Sequence, residues 1–332
     1  MNPTSTLRGL LAATLAASSA FAAPAFAQDG PSTSPTGMVD ALNATFGQHA
    51  GKRASHAKGF CAAGEFKPDK RATDFVNGPL FKQKSVPATV RFSIGGGNPN
   101  ASDKSRSVRG LTMRLTGAGE VYDLLMISEP AFFAATPESF VSFLQARVPD
   151  PATKKPDPAK IAAHNAAFPD GTRQPALLAA HAAPASYANT PYFSNNAFNF
   201  KSRSGSSQVA RLVAEPLDGT KYLSEAEEKS LPDVFLEAEL GTRLNGGTVG
   251  YTLFAQLPAK GDSSVDPSTV WAGTLKVAIG TLTVKQLTPA DSCDGLVFMP
   301  LSLPTGITGT DDPILNARVA PYAVSLSRRT AK

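Results

Sequence analysis

The chain has 332 residues, 42% of them hydrophobic, and its 32 Lys and Arg against 27 Asp and Glu give a formal charge of +5. That length and apolar content suffice for one large core or two ordinary ones. The basic residues are scattered rather than gathered into a stripe, which argues against a nucleic-acid partner, and beyond the N-terminus no run approaches the roughly 20 apolar residues of a membrane helix.

Residues 1–27 read as a secretory signal peptide: Arg8 supplies the charge, 9–23 the apolar run, and Ala25-Phe26-Ala27 the small-residue cleavage site. A periplasmic or secreted protein without membrane insertion is expected. Residues 28–36 are polar, aperiodic and rich in Pro, Ser and Thr, and read as a disordered linker. Met38, Leu42 and Phe46 fall at helical spacing, which predicts a helix over 37–46.

Short runs rich in β-branched and aromatic residues predict strands at 88–94, 110–115, 121–127, 197–201, 209–215, 248–257 and 275–286. Many short strands with few helices between them favour an antiparallel barrel over a parallel α/β sheet. Thr136-Pro137-Glu138, Ser230-Leu231-Pro232-Asp233 and Asp311-Asp312-Pro313 each place a capping residue before a helix. The second of these helices is expected to stop at Asn245-Gly246, and the third to run towards the C-terminus. The proline-rich stretch 148–175, with a short helix at 160–168, is either an interdomain linker or an arm wrapping the barrel.

Cys61 and Cys293 are the only two cysteines. In an oxidising compartment a distant pair reads as a structural disulfide, two separate buried thiols being the alternative. Neither lies in a C-x-x-C, so zinc binding and dithiol chemistry are not expected.

Conventional catalytic motifs are scarce. Gly95-Gly96-Gly97 lacks the G-K-S/T of a phosphate loop, no serine sits in a nucleophile elbow, and four histidines are too few for a multi-histidine metal site. Three other segments stand out. Arg318, Tyr322 and Arg329 fall near one helical face, and a cation beside a tyrosine favours its phenolate, an uncommon but established ligand of haem iron. The bland alternative is a basic amphipathic helix. In 53–66, His56 is ringed by small residues, which suits proton transfer to a compact substrate, although a lone histidine is more often structural. Val90-Arg91-Phe92-Ser93 and Ser107-Val108-Arg109-Gly110 add arginines able to pair with carboxylates, or a solvated strand face.

In this order the segments resemble those of the haem catalases. Residues 53–66 are similar to that family's R-x-x-H-A-K-G segment, and 90–110 to its V-R-F-S-x-x-x-G with the later R-G. Asp123-Leu124 through Phe132-Phe133 is similar to its D-L stretch ending T-P-x-F-F, and Phe140 and Phe143 recur at its spacing. Arg318 and Tyr322 match its terminal R-x-x-x-Y, and Arg329 the arginine seven residues later, so the likeness runs over 56–329.

The resemblance implies an α+β fold: a catalase-like antiparallel β-barrel core with flanking helices and a long wrapping loop, filling 37–332 as a haem domain with haem b as cofactor. It implies His56 as distal acid and base, Ser93 as its hydrogen-bond partner, and Tyr322 as axial ligand to the iron with Arg318 beside it. Arg53, Arg91 and Arg329 would bind the haem propionates, Phe140 would stack near the porphyrin, and Phe132, Phe133 and Phe143 would line the pocket. The expected partners are hydrogen peroxide and a small organic electron donor, and the expected assembly is a monomer or small homo-oligomer.

Three departures qualify this. Where catalases have their distal asparagine this chain has Ile127, with Ser128 beside it. Isoleucine donates no hydrogen bond to a second peroxide, so weak dismutation and a peroxidase cycle are expected. The C-terminal segments of full-length catalases are absent, from which a more open pocket is expected. Pro321 would kink a continuous C-terminal helix beside Tyr322. The alternatives are a hydroperoxide isomerase or lyase on the same scaffold, a non-enzymatic haem-binding protein, and a barrel that has lost its cofactor.

Overall fold

The computed structural model describes residues 32–289 and 291–331. The expected signal peptide lies outside them, as do residues 28–31 of the expected linker. The strands are β1 (Gly59–Pro68), β2 (Val86–Ile94), β3 (Arg109–Gly117), β4 (Glu120–Ile127), β5 (Tyr192–Phe193), β6 (Phe198–Lys201), β7 (Ser207–Pro216), β8 (Val249–Gln256), β9 (Lys276–Leu287) and β10 (Ile307–Gly309). The helices are α1 (Pro35–Phe46), α2 (Ala72–Phe75), α3 (Pro137–Gln145), α4 (Pro158–Ala167), α5 (Arg173–Ala179), α6 (Glu225–Ser230), α7 (Leu236–Gly246), α8 (Pro313–Ala317) and α9 (Val319–Thr330).

Every strand pairing among the described residues is antiparallel. β1, β2, β3, β4, β5, β7, β8 and β9 follow one another around a closed barrel, sealed where β9 returns to β1, while β6 and β10 extend from β7. Closure removes the free edges that an open sheet would expose. Strict alternation of buried and half-buried residues along β8 marks its inward face. The interior holds Phe92, Leu111, Met113, Tyr187, Tyr192 and Tyr251 in one apolar cluster, with the Tyr192 and Tyr251 hydroxyls donating to the Tyr187 carbonyl at 3.3 and 2.8 Å. Those bonds satisfy hydroxyls that would otherwise be costly to bury.

Two features shape the barrel locally. β3 and β4 are joined through Ala118 and Gly119, both at positive φ (54° and 77°), the tight turn that matches strand twist. At the β1–β9 bulge, a Cβ on Gly64 would stand 2.3 Å from the Thr283 carbonyl oxygen, so only glycine allows the close approach.

A second apolar cluster lies outside the barrel, where Met38 and Ala41 of α1, Phe140, Val141 and Leu144 of α3, and Ile314 of α8 pack together. It ties the first helix to the last part of the chain. Residues Pro31–Lys332 form one unit, so 148–175 is an arm carrying α4 and α5 rather than an interdomain linker.

The helix boundaries differ instructively from the sequence reading. α1 starts at Pro35 with the Ser34 hydroxyl accepting from Gly37 N, so the end of the expected linker is helical. α3 starts as expected, with Thr136 and Ser139 in a reciprocal capping box. α7 starts later than Ser230, because a distant side chain caps it: Asp103 Oδ2 accepts from Phe235 N (2.7 Å) and Leu236 N (2.9 Å). The C-terminal helix breaks at Arg318 into α8 and α9, which places Pro321 in the first turn of a new helix. A first-turn residue has no intrahelical N–H bond to lose, so the expected kink at Tyr322 does not arise.

Candidate active site

His56 sits in the loop between α1 and β1 with φ of 53°, a left-handed conformation that costs a non-glycine residue on the order of 1–2 kcal/mol. Its backbone is held there: Arg91 Nη2 donates to the His56 carbonyl at 2.9 Å, and Ala57 N donates to Gly96 O at 3.1 Å. The Gly95-Gly96-Gly97 turn therefore has a supporting role. Ser93 Oγ lies 3.0 Å from His56 Nδ1, which fixes the ring and leaves Nε2 free for a substrate. Ser93 pairs across the sheet with Gly110, where a Cβ would fall 2.4 Å from Ser93 Oγ and 2.9 Å from Nδ1. Burial, then Arg91, Arg318 and Arg53, push the imidazole pKa down to about 3, so the ring is neutral.

Tyr322 lines the same cavity from α9. Arg318, at the junction of α8 and α9, donates from Nη2 to Tyr322 Oη at 2.6 Å and from Nη1 to Asn196 Oδ1 at 2.7 Å. Asn196 Nδ2 in turn donates to Asp312 Oδ2 at 2.7 Å, and Asp312 caps α8 through Ile314 N and Leu315 N. Arg318 keeps helical dihedrals (φ −70°, ψ −28°) at the break, and a polar chain anchored on Asp312 sets its guanidinium.

Arg53, Arg91 and Arg329 also face the cavity. Arg53 donates to the carbonyls of Cys293 (2.9 Å) and Leu296 (3.0 Å), and Arg329 to that of Leu296 (2.9 Å). Among the described residues, the only carboxylate paired with Arg53 is the exposed Asp294 at 3.9 Å. Burial and mutual repulsion push Arg53 down to about 9 and, chiefly through burial, Arg91 to about 10. Arg329 Nε is buried without a partner. Three guanidiniums so placed demand an anion. The loop that positions two of them is tied to β1 by a Cys61–Cys293 disulfide.

Phe132, Phe133, Phe140 and Phe143 form an aromatic wall, with Phe132–Phe133 and Phe133–Phe143 centroids at 4.3 and 4.4 Å and Phe133–Phe140 at 5.3 Å. The cavity they share with His56, Tyr322 and the arginines has a volume of about 660 Å³. Arg109 does not enter it. That side chain is fully buried, with Nη2 donating to the carbonyls of Asp103 and Ser105, so it holds the loop before β3 and does not serve as a ligand for carboxylates.

The family model for catalase matches residues 28–332. The chain belongs to the catalase family. A catalase-related peroxidase of Synechococcus elongatus is 36% identical over 322 residues, covering 96% of this chain and 94% of its own. Another, of Mycolicibacterium paratuberculosis, is 33% identical over 300 residues, covering 89% and 95%. A fungal catalase crystal structure superposes with a TM-score of 0.75 at 21% identity, over 85% of this chain and 60% of that one, which shows the shared fold. The α+β barrel expected from the sequence is thereby found.

Within this catalase-family cavity, Ile127 lines the wall beside His56, whereas Ser128 turns away. Its Oγ accepts from Arg109 N at 3.0 Å and lies 3.4 Å from Glu129 Oε1. The strand's alternation therefore presents the apolar residue to the cavity. Sequence reasoning missed the contributions of Met38, Leu42 and Phe46, read only as a helix face, and those of Asn195, Asn196 and Arg147. No local pattern marks the last three: Asn195 and Asn196 lie between β5 and β6, and Arg147 just beyond α3.

Proposed function

We propose that the chain is a haem-dependent peroxidase that reduces hydrogen peroxide or organic hydroperoxides with organic electron donors, with weak or no dismutation of peroxide, in the periplasm or outside the cell. The observation that carries this reading is the convergence of Arg53, Arg91 and Arg329 on a cavity also lined by Tyr322 and His56. The donor set fits haem: Tyr322 Oη would ligate the iron, the guanidiniums with the unpartnered Arg329 Nε would take the propionates, and the phenylalanines would flank the porphyrin. Bound haem supplies the iron that accepts the oxidising equivalents of peroxide and returns them to a donor.

The chain's own residues do the proton work. Neutral His56 accepts a proton at Nε2 from the bound peroxide and passes it to the departing oxygen; its lowered pKa keeps the ring unprotonated before the peroxide arrives. Ser93 keeps the ring in position through Nδ1. Arg318 donates to Tyr322 Oη and so holds the phenol oxygen in place. Ile127 excludes water but offers no hydrogen bond to a second peroxide.

The test is an absorption spectrum of haem-reconstituted wild type and Tyr322→Phe, followed after peroxide with and without a donor. A high-spin ferric spectrum lost in the variant, with donor-dependent turnover and little oxygen, supports the reading. An unchanged spectrum removes Tyr322 as ligand, and vigorous oxygen release removes the restriction to peroxidase chemistry. A hydroperoxide isomerase or lyase is the second reading, favoured by Ile127 in a cavity of this size; turnover of an organic hydroperoxide without donor would select it.

A further inference from the structure

Two arginines of the cavity lining, Arg106 and Arg147, belong neither to the propionate cluster nor to the proton machinery. Arg147, just beyond α3, sits over Phe143 with its guanidinium carbon 3.4 Å from the ring centroid, and its Nη1 donates to the Phe143 carbonyl at 3.0 Å. The ring beneath is itself wedged by His164, edge-on at 5.5 Å. The exposed Arg106, in the loop before β3, is tied to the end of α5, its Nη1 donating to the Ala179 carbonyl at 3.1 Å.

Among the described residues neither arginine pairs with a carboxylate. Burial lowers the pKa of Arg147, and no acid offsets it. A half-buried cation stacked on an aromatic ring, with free N–H groups and no counter-ion, is a poised anion site. The cavity that both arginines line also carries apolar side chains, among them Val108, Ile127, Phe143, Pro175 and Leu178. A small inorganic anion would leave that surface unused, whereas an organic acid would fill it.

We propose that Arg106 and Arg147 form a carboxylate-binding entrance, which selects organic acids with an apolar body as the hydroperoxide or the reductant. The inference rests on the peroxidase reading for its functional meaning, but binding at the entrance stands apart from it.

The experiment uses haem-loaded full-length protein and two matched pairs: linoleate hydroperoxide against its methyl ester, and caffeate against methyl caffeate as reductant for hydrogen peroxide. A charge-assisted hydrogen bond lost from a semi-buried site predicts an acid-to-ester preference in kcat/KM of about tenfold or more for one pair. That ratio should collapse to about twofold or less in Arg106→Met/Arg147→Met, recover largely in the double Lys variant, and fall with added salt. The pair that shows the preference identifies the source of the carboxylate. Equal kcat/KM for acid and ester in both pairs, or a ratio that survives in the Met variant, overturns the proposal. Should the wild type turn over no peroxide with any donor, the peroxidase reading fails by itself. Calorimetric binding of laurate against methyl laurate then decides the entrance: laurate affinity weakened about tenfold in the Met variant upholds it, and equal affinity overturns it.

Discussion

Gly110 shows how narrowly His56 and Ser93 are fitted to each other. Because a Cβ there would intrude on both Ser93 Oγ and His56 Nδ1, Gly110→Ala should push the imidazole off its partner. We expect the rate of reaction with peroxide to fall about tenfold or more, in line with the loss of a positioned acid–base group, while far-UV circular dichroism stays that of the wild type. The neutral imidazole makes a second prediction. With the folded pKa near 3 and an ordinary value near 6.5, the ring does not titrate near neutrality. The bimolecular rate with peroxide should stay flat as pH falls through 6.5, where an exposed histidine would lose activity. The unfolded chain takes up a proton on His56 below about 6.5 that the folded chain refuses until about 3. Stability therefore declines as pH falls through that window, and His56→Gln should flatten this slope in denaturation measured from pH 7 to 4.

At the scale of elements, helix ends decide more than helix interiors. Asp103, almost fully buried, caps α7, pairs with Lys58 Nζ at 2.7 Å, and lends its own carbonyl to Arg109. Asp103→Ala leaves two helix N–H groups without an acceptor and Lys58 without its counter-ion, so a loss of about 2–3 kcal/mol is expected in urea denaturation. Pro321→Ala tests the split of the terminal helix. Since Pro321 lies in the first turn of α9, its replacement should change stability by less than about 1 kcal/mol and leave the haem spectrum unaltered. A proline in mid-helix would instead yield a large gain on removal.

Over the whole molecule, the barrel brings distant segments onto one cavity, and the disulfide holds the arrangement from outside. Cys61 on β1 and Cys293 are 232 residues apart, and the loop around Cys293 presents the carbonyls that seat Arg53 and Arg329. Closing so long a loop contributes on the order of 5 kcal/mol in the chain-entropy account. Reduction should lower the denaturation midpoint and weaken haem retention, measured by transfer to an acceptor haem-binding protein, while mass spectrometry of the unreduced chain should find the two cysteines joined.

Much of this was legible in the linear chain, because the chemistry of the site is carried by short motifs. His56 with its small neighbours, Ser93 two residues after Arg91, the Phe132–Phe133 pair and the Arg318–Tyr322 spacing are all local, and all converge on one cavity. The short runs rich in β-branched and aromatic residues likewise gave most strands, since such side chains fit a pleated, half-buried surface. β1 escaped notice because Gly59-Phe60-Cys61-Ala62-Ala63-Gly64 is poor in β-branched residues and is strand only through β2 and β9 on either side. Asp103 as the cap of α7, Asn196 behind Arg318, and Arg106 with Arg147 around the opening were equally hidden. Each depends on contacts between residues far apart in sequence, and such contacts are fixed by how the barrel closes and not by any pattern within a segment. The sequence by itself determined which residue types could do this chemistry; only the tertiary structure decided which of them share a cavity, which way Ile127 and Ser128 face, and which cations are left without a counter-ion.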